Sequence, residues 1–301
     1  MTARPRWRFW AWPRELRERG VLGINARNLE WLARLNPRAR YPLVDDKVLT
    51  KALCETHGIP VPATYALLEH FGDVKHLARV VADRQEFVVK PARGAGGRGI
   101  VVIARHDGES FETVRGTRLS LADMRHHLSS TLSGLYSLGG RADRAIIEQR
   151  IRPHPVFADL VVRGTPDIRI LVCRGRPAMA MLRLPTEASG GRANLHQGAV
   201  GAGIASATGT LCGGVCCGRA VDVHPDTGAP IAGTVVPCWG DVLRIAASLG
   251  TALGLGYVGV DIVLDVQHGP LVLEANARPG LAIQIANRTG LHHCLSEGDG
   301  A

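Results

Sequence analysis

The sequence predicts an α/β protein of the mixed α+β kind. Three observations predict it. β-branched runs alternate with capped, amphipathic stretches along the chain, a glycine-rich loop from Gly94 to Gly99 joins two of those runs, and the last strand pair is a hairpin carrying carboxylates. At 301 residues the chain has the length of two domains or of one two-lobed α/β enzyme, and no repeat or low-complexity linker separates independent units. Hydrophobic residues make up 46% and charged residues 21%, which excludes a disordered or coiled-coil chain; the 36 glycines lack the triplet period of collagen. The longest stretch without a charged side chain, 193–218, contains Asn194, His196, Gln197 and seven glycines, so it is not read as a membrane span. No apolar run of signal-peptide length precedes Pro13, and the expected compartment is the cytoplasm, with peripheral attachment to a membrane as a variant.

The elements follow in order. Residues 1–40 hold ten arginines against Glu15, Glu18 and Glu30, which places +7 of the net charge of +9 in a basic arm. Four of the five tryptophans (Trp7, Trp10, Trp12, Trp31) lie there too, a mixture suited to a membrane surface or an acidic partner, with nucleic acid disfavoured. The plain alternative is a solvated basic helix that docks its tryptophans on the body. Next, Arg40-Tyr41-Pro42 reads as extended. Asp45 or Asp46 caps a helix to His57, stopped by Gly58, with Ile59 to Pro62 as an extended exit. A helix at 73–82 precedes the strand 86–90, the loop 91–98 and the strand 99–104. A helix at 121–132 precedes the strand 145–148. Two strands within 167–184 flank the turn Arg174-Gly175, a helix covers 237–253, and the last hairpin covers 257–275. The seven cysteines lack paired C-x-x-C spacing, so buried reduced thiols are expected rather than ligands or disulfides.

Gly94-Ala95-Gly96-Gly97-Arg98-Gly99 satisfies G-x-G-x-x-G, whose meaning depends on its flanks. A dinucleotide site needs a helix after the loop. Here Ile100-Val101-Val102-Ile103 follows, so the loop joins two strands as a flap whose bare backbone amides can close over phosphates. Lys90, in an apolar strand end, supplies a cation beside it. A flexible hairpin tip would explain the glycines but not the lysine. No H-R-D or D-F-G sequence of a protein kinase follows.

The second constellation is the closing hairpin. With Gln267 and His268 as its turn, Asp261 lies opposite Glu274, and Asn276 returns to the same face two residues later. Two carboxylates so close repel unless a cation sits between them, and Asp, Glu and Asn offer the hard oxygen ligands that suit Mg²⁺. The alternative pairs each carboxylate with an arginine, Arg169 and Arg278 being the candidates.

These constellations, with Tyr41 to Lys47, Val89-Lys90-Pro91, Asp167-Ile168-Arg169, Arg192 to Gly198, Gly259 to Ile262 and Leu273 to Leu281, resemble the ATP-grasp ligases, and within them the RimK-type and alpha-L-glutamate ligase-related proteins. The resemblance spans about residues 20–290. It implies an ATP-grasp fold with ATP between the lobes: arm 1–40, small lobe 41–150 with the flap, large lobe 151–290 with the metal site, and tail 291–301. Lys47 and Lys90 match the nucleotide-contacting lysines, with Gly94, Gly96 and Gly97 in the flap. Glu148, Gln149, Arg150 and Ile151 match the hinge that reads adenine; Asp167, Arg192 and Asn194 match further nucleotide positions. Asp261, Glu274 and Asn276 match the Mg²⁺ ligands, with Mn²⁺ as an alternative ion. Arg169 and Arg278 are expected to stabilise transferred phosphoryl charge or to grip a substrate carboxylate. The implied activity is ADP-forming ligation of a carboxylate, such as that of an amino acid like glutamate, to an amine of a peptide, protein or small molecule through an acyl phosphate. The rivals are a phosphotransferase of the same superfamily and a non-catalytic nucleotide-binding adaptor. Two departures from the RimK type stand out: only 46 residues precede Lys47, and Arg278 occupies a position usually held by a small polar residue. His196 is a candidate base for the amine, weighed against a structural role.

Overall fold

The computed structural model describes residues 11–94 and 96–296; Trp7, Trp10 and Ala95 lie outside them. The described residues begin with α1 (Pro13–Glu18) and a continuous helical run of α2 (Ile24–Ala26), a π-helical turn (Arg27–Leu32) and α3 (Ala33–Leu35). Then come α4 (Pro42–Asp45) and α5 (Lys47–Thr56). Asp46 caps α5 by accepting from the Val48 amide at 3.0 Å, and Gly58, at φ +65°, turns the chain away after it. Arg40 to Pro42 is not extended as its sequence suggests: a 3₁₀ turn at Arg38–Arg40 runs into α4, where Pro42 fits the first helical position.

The first lobe contains β1 (Thr64–Leu68), α6 (Leu77–Val81), β2 (Phe87–Pro91), β3 (Val101–His106), β4 (Ser110–Thr113), β5 (Arg118–Ser120), α7 (Leu121–Leu132) and β6 (Ala145–Glu148). Its sheet is antiparallel with the order β1-β6-β2-β3-β4-β5. Helix α7 has the span its sequence predicts because Ser120 and Asp123 form a reciprocal capping box. It packs Met124 and Leu128 on Phe87, Ile103 and Phe111. Strand β3 starts two residues later than expected, since Gly99 at φ +74° and the exposed Ile100 keep the chain out of the ladder.

The second lobe contains β7 (Asp167–Cys173), β8 (Arg176–Leu184), β9 (Val200–Ile204), β10 (Leu211–Cys216), β11 (Arg219–Val221), α8 (Trp239–Leu253), β12 (Tyr257–Asp265), β13 (Gly269–Asn276), α9 (Ala282–Ala286) and α10 (Leu291–Ser296). Its antiparallel order is β11-β10-β9-β8-β7-β12-β13. Both faces are covered, so every residue of β12 is buried. The period-two alternation sorts the side chains: Ile168, Ile170 and Val172 join Val242, Ile245 and Leu249 of α8 on one face. On the other face Leu171, Met179, Met181 and Tyr257 pack against Leu22, Trp31, Leu32 and Leu291. Residues 22–36 of the basic segment are thus part of the body, whereas Trp12 is 60% exposed.

The closing hairpin has a three-residue turn, 266–268, with Asp265 opposite Gly269, rather than the expected two-residue turn. A bulge at Leu273 then adds one residue to β13, and Asp261 faces Glu274 as predicted, through two compensating departures. Strands β9 and β10 occupy the long uncharged stretch. The cysteine expectation needs correction: all seven thiols are free, but only Cys54 and Cys173 are buried, while Cys212, Cys217 and Cys238 are exposed and Cys216 and Cys294 partly so. Among the described residues no helix is long and apolar enough to cross a membrane.

Candidate active site

The large lobe supplies a charged cluster on the sheet face that residues 22–36 cover further along. Arg169 stands opposite Asp261 in the β7–β12 register and binds it with two hydrogen bonds, Nε to Oδ1 at 2.7 Å and Nη2 to Oδ2 at 2.6 Å. Arg183 of β8 donates Nη2 to the same Oδ2 at 2.8 Å and Nε to Asp167. Burial opposes ionisation of Asp261, yet Arg169 and Arg183 together hold its carboxyl well below the usual range. Burial pushes Asp167 up, with Arg183 pulling it back and the Asp261 charge pushing it further. The arginine-paired alternative is therefore realised for Asp261, by Arg169 and Arg183 rather than Arg278. Arg183 was not singled out from the sequence, although it sits near the end of an apolar strand as Lys90 does.

Glu274 and Asn276 complete the group: the Asn276 amide lies 3.3 Å from both Asp261 Oδ2 and Glu274 Oε1, and the Glu274 side chain is 37% exposed. These three side chains fit a divalent cation in donor chemistry, since all offer oxygen and Glu274 and Asn276 are reachable. Asp261 Oδ1 accepts a single bond and keeps a lone pair, whereas Oδ2 is already crowded by two guanidinium donors. Among the described residues no group of three His, Cys, Asp or Glu side chains forms a metal site by itself.

Lysines of α5 and β2 gather beside this group. Lys47 donates to the Gly94 carbonyl at 2.7 Å and lies 3.9 Å from Glu274, so one side chain links the flap to β13. Burial holds its pKa below the usual lysine value against the pull of Glu274. Lys90 and Lys51 both bind the buried Glu148, at 2.5 Å and 2.7 Å; burial pushes the Glu148 carboxyl up, but the two lysines bring it below its ordinary value. Lys51, which also donates to the Pro62 carbonyl, was missed in the sequence because α5 hides it in a polar-looking turn. The flap is anchored at both ends. Asp143 accepts from the Arg93 amide, Asp46 binds the Arg93 and Arg144 guanidinium groups, and His127 meets the Gly99 carbonyl at 3.0 Å. Gly96 and Gly97 sit at φ +64° and +73°, a conformation glycine adopts without strain.

Other expected residues are placed around this core. Arg192 lies against the flap, its Cδ 3.5 Å from where a Gly97 Cβ would be, and Arg115 donates to Gly190 from the small lobe at 2.5 Å. Asn194 caps its own turn by accepting from the His196 amide, and His196 is exposed. Gln149 and Arg150 line a recess of about 440 Å³ at the hinge, together with Ala63, Arg84, Glu86 and His268; Ile151 continues the hinge, half-buried. Glu86 binds Arg150 and Arg152 there. Arg278 is not drawn into the Asp261 cluster: its guanidinium lies over the Tyr41 ring, 4.8 Å from the centroid.

A two-lobed antiparallel fold with a glycine flap, paired lysines and an Asp–Glu–Asn hairpin defines the ATP-grasp class, and comparison with known families agrees. The chain belongs to the sugar-transfer associated ATP-grasp family, whose model matches residues 26–299. It is 27% identical over 237 residues to a probable alpha-L-glutamate ligase of Parasynechococcus marenigrum (strain WH8102), covering 78% of this chain and 36% of that protein. The chain thus spans about a third of the length of this relative. Among solved structures it is similar to the ATP-grasp ligase PsnB complexed with minimal precursor (15% identity, TM-score 0.48, 88% of this chain and 62% of that one). It is also similar to the RimK domain ATP-grasp protein from Sphaerobacter thermophilus DSM 20745 (14%, TM-score 0.48, 87% and 70%).

Proposed function

We propose that the chain is an ATP-dependent, ADP-forming carboxylate–amine ligase working through an acyl phosphate, with an amino-acid carboxylate such as that of glutamate as donor. The observation that supports this is the position of Lys47, bonded to the flap at Gly94 and 3.9 Å from Glu274, so the groups expected to bind phosphate and metal lie side by side. In this reading the flap amides, Lys47 and Lys90 hold the triphosphate, and Glu148 fixes Lys90 in place. Asp261, Glu274 and Asn276 would hold Mg²⁺, which would neutralise phosphate charge when bound. Arg169 keeps Asp261 ionised and oriented. Arg278, exposed beside Tyr41, would grip the substrate carboxylate in this reading.

The carboxylate oxygen forms a bond to the γ-phosphorus as the bond to the β-bridging oxygen breaks, releasing ADP. The amine then adds to the carbonyl carbon, phosphate leaves with the C–O electron pair, and the amine proton passes to solvent or a base. Placement and charge neutralisation suffice, with no protein nucleophile. Incubation with ATP, Mg²⁺ and panels of carboxylates and amines tests this: ADP release should require both partners. Release with an acceptor alone, giving a stable phosphorylated product, would favour a phosphotransferase instead. The basic segment, with Trp12, Leu16, Ile24 and Leu29 exposed among arginines, suits an anionic membrane surface as a docking partner.

A further inference from the structure

The charged cluster and the face covered by the N-terminal segment belong to one row of side chains. Along β12 that face runs Tyr257, Gly259, Asp261, two residues per step. Tyr257 packs under Trp31 and Leu32. Gly259 lies beneath Pro279, whose Cβ would stand 2.7 Å from an added Cβ. Asp261 is the next step.

The loop that follows Asn276 is fastened to the same segment by two buried polar side chains. Asn36 donates to the Ala277 carbonyl at 3.1 Å and the Tyr257 carbonyl at 2.7 Å, and accepts from the Tyr257 amide at 2.9 Å. Arg27, also buried, donates Nη1 to the Pro279 carbonyl at 2.8 Å, while Nε and Nη2 go to Asn28. The buried guanidinium is thus met by neutral oxygens, the Asn28 side chain and the Pro279 carbonyl, and its one bond outside its own helix goes to the loop before Gly280. The π-helical turn over Arg27–Leu32 brings Arg27, Trp31 and Leu32 to the inner side together, and such turns are frequent at functional sites. The two fastened carbonyls, Ala277 and Pro279, flank a single residue, Arg278. Its guanidinium is exposed and rests on Tyr41, just before the helix that leads to Lys47.

We infer that residues 22–36 form a wall of the site, in which Asn36 and Arg27 are positioning residues that hold Arg278 ready to bind a substrate carboxylate. This rests on the ligase reading for the identity of the anion. The unfastened loop would leave Arg278 free to swing, and the cost would appear in capture of the carboxylate and not of ATP.

The test uses the full chain and labels arginines with phenylglyoxal, reading Arg278 by peptide mass with and without L-glutamate, L-aspartate or succinate. Labelling needs the free guanidinium, so saturation with at least one of these carboxylates should slow it about fivefold or more in the natural protein. Asn36→Ala and Arg27→Met should abolish that protection, while Arg27→Lys, which keeps a donor for Pro279, should retain it. In all three the rise of melting temperature with ATP and Mg²⁺ should persist, which also shows that they fold. Equal labelling with and without every carboxylate in the natural protein, or undiminished protection in both Asn36→Ala and Arg27→Met, would overturn the inference. The labelling needs no turnover, so absence of ADP release would count against the ligase reading alone.

Discussion

Glu148 between Lys51 and Lys90 shows what a single buried carboxylate decides. Its ionised form is favoured in the fold, so its stabilisation is complete above the ordinary glutamate range and is lost as pH falls through its lowered folded value. Glu148→Gln should therefore lower stability at neutral pH by about 3–5 kcal/mol, the usual effect of stranding buried partners, and should flatten the acid side of a stability–pH profile. An unchanged profile in acid denaturation would contradict the cluster. The two carboxylates of the closing hairpin should behave differently from each other. Glu274→Gln, at a half-exposed position, should leave the melting temperature nearly unchanged while ADP release falls about 100-fold or more. Asp261→Asn should lose both, because it also strands Arg169 and Arg183; calorimetry beside the ADP assay separates the pair. At this scale the sequence announces lysines and carboxylates that interrupt apolar strands, such as Lys90 and Asp261. It hides Lys51 on a mixed helix and leaves Arg183 unmarked, since their partners come from strands distant in the chain.

The flap and the hairpin carry the element-scale account. At Gly99 an added Cβ would meet the Tyr136 ring at 2.5 Å in a backbone already at φ +74°, whereas Gly96 opens on free space at φ +64°. Gly99→Ala should then destabilise by more than the roughly 1–2 kcal/mol of left-handed strain expected for Gly96→Ala, and should reduce the thermal shift given by ATP. Equal melting temperatures for the two variants would show that the ring does not hold the flap. Elements with local signals were legible: Ser120 and Asp123 fixed α7, and Arg174-Gly175 fixed the β7–β8 turn. Strands β9 to β11 were not, because their glycines and small residues give no alternation and only neighbouring strands define them. The bulge at Leu273 was also invisible, its effect cancelling that of the longer turn.

For the whole molecule, the N-terminal region divides in two. One face of residues 22–36, with Leu22, Arg27, Trp31, Leu32 and Asn36, is built into the core, a long-range arrangement that composition could not distinguish from an exposed arm, while Trp12 and Leu16 face solvent near Arg14, Arg17 and Arg19. Trp12→Ala combined with glutamine at those three arginines should leave the melting temperature unchanged and abolish salt-sensitive sedimentation with anionic vesicles, an attraction screened over about 8 Å at physiological ionic strength. Undiminished sedimentation would remove this surface from the docking account. The proposed reaction turns on phosphoryl transfer to a carboxylate. The most direct measurement of that step uses a carboxylate substrate labelled with heavy oxygen and the mass of the phosphate released during ligation. The account predicts that each phosphate carries one labelled oxygen taken from the carboxylate; phosphate free of label, with ligation proceeding, would contradict it.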